Sequence, residues 1–171
     1  MTETHNNKIL WAPWRMEYIR GEKEQGCIFC DKPKQMHDRE NFLVHRGHAA
    51  FVIMNKYPYN NGHLMVVPYR HEAELDKLTV EESCEMTALL QQCARALKMI
   101  CAPHGFNIGM NVGAVAGAGI DGHLHFHIVP RWDADTNFMP ILGHTKVVSE
   151  GLWETWAQLQ EAFQQLAEHK N

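Results

Sequence analysis

Between Gly122 and Trp132 the chain reads GHLHFHIVPRW, with His123, His125 and His127 separated by Leu124 and Phe126. Strict alternation rich in β-formers predicts a strand. Residues two apart on a strand project to the same side, about 6.5–7 Å apart along the axis. Three imidazoles are therefore expected to line one face while Leu124, Phe126 and Ile128 enter a core. Pro130, with no N–H to offer a neighbour, is expected to end the pairing. One histidine on such a face is commonplace. Three in strict alternation point to chemistry, because imidazoles are poor β-formers and exchange protons near neutral pH.

The rest of the chain must hold that strand. At 171 residues it is expected to form one domain with a real core, preceded by an arm over 1–26 and followed by an extension over 134–171. A formal charge of −4 announces no surface for nucleic acid or another polyanion. No apolar run approaches 18 residues, and the first residues, MTETHNNKILWAPWR, lack the apolar core of a secretory signal, so no membrane partner is expected. The five cysteines are an odd count, and Cys84, Cys93 and Cys101 fall in a helical pattern. That favours a reducing cytoplasm over a disulfide framework.

Taken in order, Trp11, Trp14 and Tyr18 read as packing anchors in the arm, interrupted by Pro13. Cys27-Ile28-Phe29-Cys30 is either a redox pair or half of a zinc site. The polar, turn-like DKPKQMHDREN that follows supplies no βαβ context for redox chemistry, whereas zinc needs two further ligands from elsewhere. Strands are expected at Phe42–His45, Ala50–Met54 and Leu64–Pro68, the last apolar throughout and so central. Short connections make antiparallel pairing natural. Thr79 and Glu82 form a capping box ahead of a helix of about 22 residues. Its buried face is marked by Met86, Leu89, Leu90, Cys93, Leu97 and Ile100, and it ends before Pro103 and Gly105. Phe106–Val112 alternates as a fourth strand, and Thr145–Ser149 is a further edge-strand candidate. Leu152, Trp156, Leu159, Phe163 and Leu166 stripe a C-terminal amphipathic helix.

Between the fourth strand and the histidines lies Gly113–Gly119. It is neither a Walker loop nor a dinucleotide fingerprint, but it is small enough for backbone N–H groups to approach an anion. A neutral imidazole is a competent nucleophile when one nitrogen is bare and the other is held by a carbonyl. His125, the middle one, is best placed for attack on phosphorus, with His127 beside it to hold a phosphate or leaving oxygen. Loop N–H groups would then stabilise the equatorial charge. The competing chemistry is a catalytic metal held by the histidine strand. A third alternative is a nucleotide-binding protein without turnover.

The run His123-Leu124-His125-Phe126-His127-Ile128-Val129 is a full match to the signature of the histidine triad (HIT) family, and the resemblance runs from about Cys27 to Trp132. Asn55, Pro58 and Gly62-His63 stand where that family has an acid or amide, a proline and a Gly-His opening the third strand. The resemblance implies an α+β fold with an antiparallel five-stranded sheet and one long central helix, usually paired into a homodimer. It implies an enzyme in which His125 attacks the α-phosphate of an adenosine nucleotide and forms a nucleotidyl-histidine intermediate, with water or orthophosphate as acceptor. It carries over Asn55 as a ribose contact, and Asn111, Gly117, Gly119, His127 and Trp132 as further nucleotide contacts. In the Cys-x-x-Cys branch of the family, the matching residues Cys27, Cys30, His71 and His123 hold a structural zinc.

The chain is most similar to the bacterial diadenosine tetraphosphate phosphorylase-like members. It shares their Trp-x-Pro-x-Arg-Met arm (Trp11, Pro13, Arg15, Met16), the Tyr57–Asn60 turn, and Pro-Arg-Trp followed by Asp135–Phe138. A dinucleoside polyphosphate is the substrate this implies. It departs from many members in having Gly117-Ala118-Gly119-Ile120 where they carry Gly-Gln-Ser/Thr, so backbone groups are left to bind phosphate.

Overall fold

The computed structural model describes residues 26–135 and 150–168. The N-terminal aromatic arm, the Thr145–Ser149 strand and Phe138 lie outside the described residues. The elements are α1 (Ile28–Asp31), β1 (Leu43–Arg46), β2 (Ala50–Met54), β3 (Leu64–Pro68), α2 (Val80–Cys101), β4 (Gly105–Met110), β5 (Phe126–Arg131) and α3 (Leu152–Glu168). The five strands form one antiparallel sheet in the order β1-β2-β3-β5-β4, an α+β architecture.

Both faces of the central strands are apolar, and each meets a different cover. Val52, Leu64, Val66 and Ile128 pack against Met86, Leu89, Cys93 and Leu97 of α2 and Leu159 and Phe163 of α3. On the opposite face Leu43, Phe51, Ile53, Met65 and Val67 gather around Phe29, with Cys27, Ile28, Tyr69 and Ile120 at the margin. β3 is the middle strand and all five of its residues are buried, as its unbroken apolar run predicts.

Helix α2 starts where its capping box predicts. Thr79 Oγ1 accepts from the Glu82 N–H at 3.1 Å, and Glu82 Oε2 accepts from the Thr79 N–H at 2.8 Å. It stops at Ala102, whose φ of +42° turns the chain into the left-handed region before Pro103. Helix α3 docks on the same body: the Trp156 indole N–H donates to the Leu43 carbonyl at 3.0 Å, tying α3 to β1. No helix among the described residues is long and apolar enough to cross a membrane.

The histidine stretch departs from expectation in two linked ways. Only its second half is paired: β5 begins at Phe126, so His123, Leu124 and His125 precede the ladder. Pro130, moreover, does not end the pairing but lies within it, opposite Phe106. The reason is which side each proline faces. In an antiparallel strand the N and O of one residue point to the same neighbour. The Pro130 carbonyl accepts from Asn60 Nδ2, past the start of β3, so its missing N–H costs no ladder bond. Pro68 is the proline that stops the ladder. It faces β5 where the next pair would form, and its carbonyl accepts instead from the His123 ring at 2.9 Å. The Leu124 N–H is taken by Glu72 O at 2.7 Å.

Candidate functional site: a histidine row between a thiol cluster and a ring relay

The three imidazoles still share one side. Phe29, fully buried, contacts the rings of His123 and His125 at centroid distances of 5.5 and 4.9 Å, and His125 lies 4.7 Å from His127. His123 and His125 are both buried. Burial pushes both imidazoles below their ordinary pKa, against the opposing effect of the carbonyl each one bonds.

His125 Nδ1 lies 2.9 Å from the carbonyl of His123. A carbonyl only accepts, so Nδ1 carries the proton and Nε2 keeps its lone pair. This is the tautomer a nucleophilic imidazole needs.

On one flank, the ligand atoms of Cys27, Cys30, His71 and His123 all lie within 4.8 Å of one another. Cys27 Sγ is 3.2 Å and Cys30 Sγ 3.6 Å from His123 Nδ1, and Cys30 Sγ is 3.4 Å from His71 Nδ1. A tetrahedron with Zn–S of about 2.3 Å and Zn–N of about 2.0–2.1 Å has edges of about 3.3–3.8 Å, so these spacings fit one ion. The His123 Nε2–H donates to Pro68 O, which leaves Nδ1 bare toward the sulfurs. Burial, reinforced by neighbouring Cys27, pushes the Cys30 thiol up to about 11. Without a cation the Cys30 thiol stays protonated, the opposite of an activated redox thiol. His125 and His127 are not members of the cluster.

On the other flank stands a residue to which the sequence analysis assigns no role. His63 immediately precedes β3, and the pairing of Met65 with His127 makes it the diagonal neighbour of His127 on the same face. Gly62, at φ +72°, turns the chain into it. A Cβ there would meet Leu97 Cδ2 at 2.9 Å, so the turn requires glycine. The Tyr59 N–H donates to His63 Nδ1 at 3.1 Å, and His63 Nε2 lies 3.0 Å from His127 Nδ1. A backbone N–H only donates, so His63 carries its proton on Nε2 and gives it to His127 Nδ1. The proton of His127 then sits on its own Nε2. A histidine directly before an apolar central strand was the available signal.

The HIT domain family model matches residues 37–134. The chain belongs to the HIT family. The AP-4-A phosphorylase of Mycobacterium tuberculosis H37Rv is 43% identical over 155 residues, spanning 85% of this chain and 79% of that protein. The adenosine 5'-monophosphoramidase hnt1 of Schizosaccharomyces pombe is 28% identical over 105 residues, spanning 61% and 74%. A Zn-bound histidine triad family protein from Mycobacterium smegmatis superimposes with a TM-score of 0.69 at 26% identity, covering 84% of this chain and 97% of the other. With such relatives the chain is a HIT-type enzyme. Cys27 and Cys30 lie N-terminal to the matched HIT span, yet the fold brings them to His71 and His123.

The remaining predicted contacts separate. Asn55 joins the relay side, with Nδ2 3.4 Å from His63 Nδ1 and Oδ1 accepting the Tyr57 N–H at 2.9 Å. Asn111 stands one residue beyond the last pair, Met110–Phe126, and so level with His125. The Gly117 N–H is engaged within the glycine loop by Ala114 O at 3.0 Å, and Gly119 lies two residues further on. Trp132 follows the far end of β5, where its indole N–H donates to Cys101 O at the end of α2 at 3.0 Å. It is not brought to His125 by any contact described.

Proposed function

We propose that this HIT enzyme transfers a nucleotidyl group from an adenosine nucleotide, a dinucleoside polyphosphate such as diadenosine tetraphosphate, through a covalent bond to His125. The observation that carries this reading is the bond from His125 Nδ1–H to the His123 carbonyl, which leaves Nε2 as a neutral nucleophile beside His127. Nε2 forms a bond to the α-phosphorus as the P–O bond to the rest of the substrate breaks. The leaving oxygen takes the electron pair, and the His127 Nε2–H stabilises it. Water or orthophosphate then attacks the same phosphorus, breaking the P–N bond and restoring His125. Asn111 and the Gly119 end of the glycine loop supply donors to phosphate, Gly117 shapes that loop with its own N–H held by Ala114 O, and Asn55 holds the ribose. The likeness to an AP-4-A phosphorylase supports the substrate class.

Cys27, Cys30, His71 and His123 would hold a zinc ion. A site closed by four protein ligands is structural, offering no open position for water. Its service to the reaction is to pin His123, whose carbonyl aims His125. A metal-dependent hydrolase is less well supported, since neither His125 nor His127 belongs to the ligand cluster. A dimer is expected through β4. Among the described residues β4 is an edge strand with Ile108 half exposed, an arrangement proteins commonly cover by pairing. A reducing cytoplasm suits the cysteine thiols.

The test is product identity from diadenosine tetraphosphate, with and without orthophosphate, for wild type and His125→Ala. ADP plus ATP formed only with phosphate identifies a phosphorylase. AMP plus ATP in water alone identifies a hydrolase of the same mechanism. His125→Ala is expected to lose at least about 10³-fold in kcat while still binding nucleotide. Full activity in that variant ends the proposal.

A further inference from the structure

The turn between β2 and β3 carries a buried amide that none of the steps above uses. Asn60 is 9% exposed. Its Nδ2 donates to two acceptors, the Pro130 carbonyl in β5 at 3.2 Å and Asp135 Oδ2, beyond the end of that strand, at 3.0 Å. The Asp135 carboxylate is itself held from behind. It accepts from Arg131 Nε at 2.5 Å and Nη2 at 2.8 Å, and from the Trp132 N–H at 3.3 Å. An amide fits here for a definite reason. Both partners are acceptors, so the position needs two N–H donors, and a carboxylate would face a carboxylate and a carbonyl.

This staple holds the turn that controls the relay. Tyr59, one residue earlier, lays its ring on His63 at 4.7 Å and gives its N–H to His63 Nδ1. The Asn60 carbonyl accepts the His63 N–H at 3.2 Å. His63 is thus gripped from both sides by backbone groups adjoining or belonging to Asn60. If the turn rotates, Nδ1 loses the Tyr59 N–H and keeps only the longer approach of Asn55 Nδ2 at 3.4 Å, so the second tautomer of His63 becomes accessible. His127 then loses the partner that keeps its proton on Nε2.

We propose that Asn60, stapled to Asp135 and the Pro130 carbonyl, is a positioning residue that sets the tautomer of His127 through the Tyr59 N–H and His63. The inference rests on reading His127 as the donor to the leaving oxygen, but its test does not. The experiment is ¹⁵N NMR of histidine-labelled full chain, without nucleotide, for wild type, Asn60→Ala and Asn60→Asp. Signals are assigned from His63→Gln and His127→Gln, and steady-state kinetics are run on the same samples.

Wild type is expected to show His63 and His127 each as a single Nε2–H tautomer. In Asn60→Ala both should become mixtures, with kcat lower by about 10-fold and KM little changed. Asn60→Asp should mix them further, because it adds repulsion to the lost donors. Where either variant fails to fold, Asp135→Asn, which weakens the same staple from the other side, is expected to mix the tautomers too. Wild-type tautomers in the folded variants overturn the inference, whether or not kcat falls, since a merely structural role would leave them unmoved. Because the spectra need no substrate, loss of the proposed reaction would leave this result standing.

Discussion

His123 and His127 flank the same residue, yet their rings face different company. The first has Nε2 against a backbone carbonyl, Pro68 O, and turns Nδ1 toward two sulfurs. The second has Nδ1 against another imidazole, that of His63, and so keeps its proton on Nε2. One ring is presented as a lone pair and the other as a donor. The side chains are identical; the partner of the far nitrogen decides the role. The supports differ in kind as well. The His123 end is built from residues distant in sequence that a metal could join, whereas the His127 end is held by a turn and its hydrogen bonds.

The comparison is tested most severely at the His123 end. Cys30→Ala removes one of four ligands and is expected to abolish tight zinc binding, read as metal content after dialysis. A metal present at about 1,000 times its Kd contributes about 4 kcal/mol to stability, so the melting temperature should fall sharply and become insensitive to added zinc. Turnover should fall with it, because the His123 carbonyl that aims His125 is no longer anchored. A variant that keeps both zinc and stability would show that these four side chains are ordinary packing neighbours.

At the His127 end the effect should be smaller and mainly kinetic. His63→Ala leaves His127 Nδ1 without its donor, and loss of a positioned acid is worth roughly 10²-fold in kcat. Metal content should be unchanged. The buried ring also fills space, so some fall in melting temperature is expected, without the zinc dependence of the other end. If His63→Ala instead released metal, the two ends would be one cooperative unit, and the contrast drawn between them would fail.

Much of the frame was legible in the chain. Ala50–Met54 and Leu64–Pro68 were bounded correctly by apolar runs, and the Thr79–Glu82 box marked the start of α2, because these signals are local. The prolines were harder. Whether Pro68 or Pro130 interrupts a ladder depends on which neighbour its nitrogen faces, and only the register between strands settles that. His63 is a similar case, meeting His127 as a diagonal cross-strand neighbour 64 residues away. The spacing of Cys27 and Cys30 left a redox pair and half of a zinc site both open, and His71 and His123 followed from family likeness alone. The placement of Trp132 against the Cys101 carbonyl depends on where α2 ends in space, which no local pattern encodes.

The smallest expected effect concerns the brace behind the His123 end. Arg70, the neighbour of His71, donates to both oxygens of the Glu82 carboxylate, at 2.9 and 2.8 Å. That carboxylate also accepts the Thr79 N–H. The Arg70 guanidinium first of all, with the Thr79 N–H, holds the Glu82 carboxyl down at about 2, from an ordinary 4.5. Because the folded value is the lower one, the unfolded chain binds more protons between those limits. The stability Glu82 contributes is therefore complete above pH 4.5 and is lost as pH falls toward 2. Melting curves of wild type and Glu82→Gln across that range should start apart at neutral pH and converge as the medium is acidified. Acid release of a metal acts on both proteins, so the difference between them isolates the carboxylate. Curves that stay parallel would mean that Glu82 contributes nothing to the acid limb, and that the link from α2 to His71 is a contact without energetic weight.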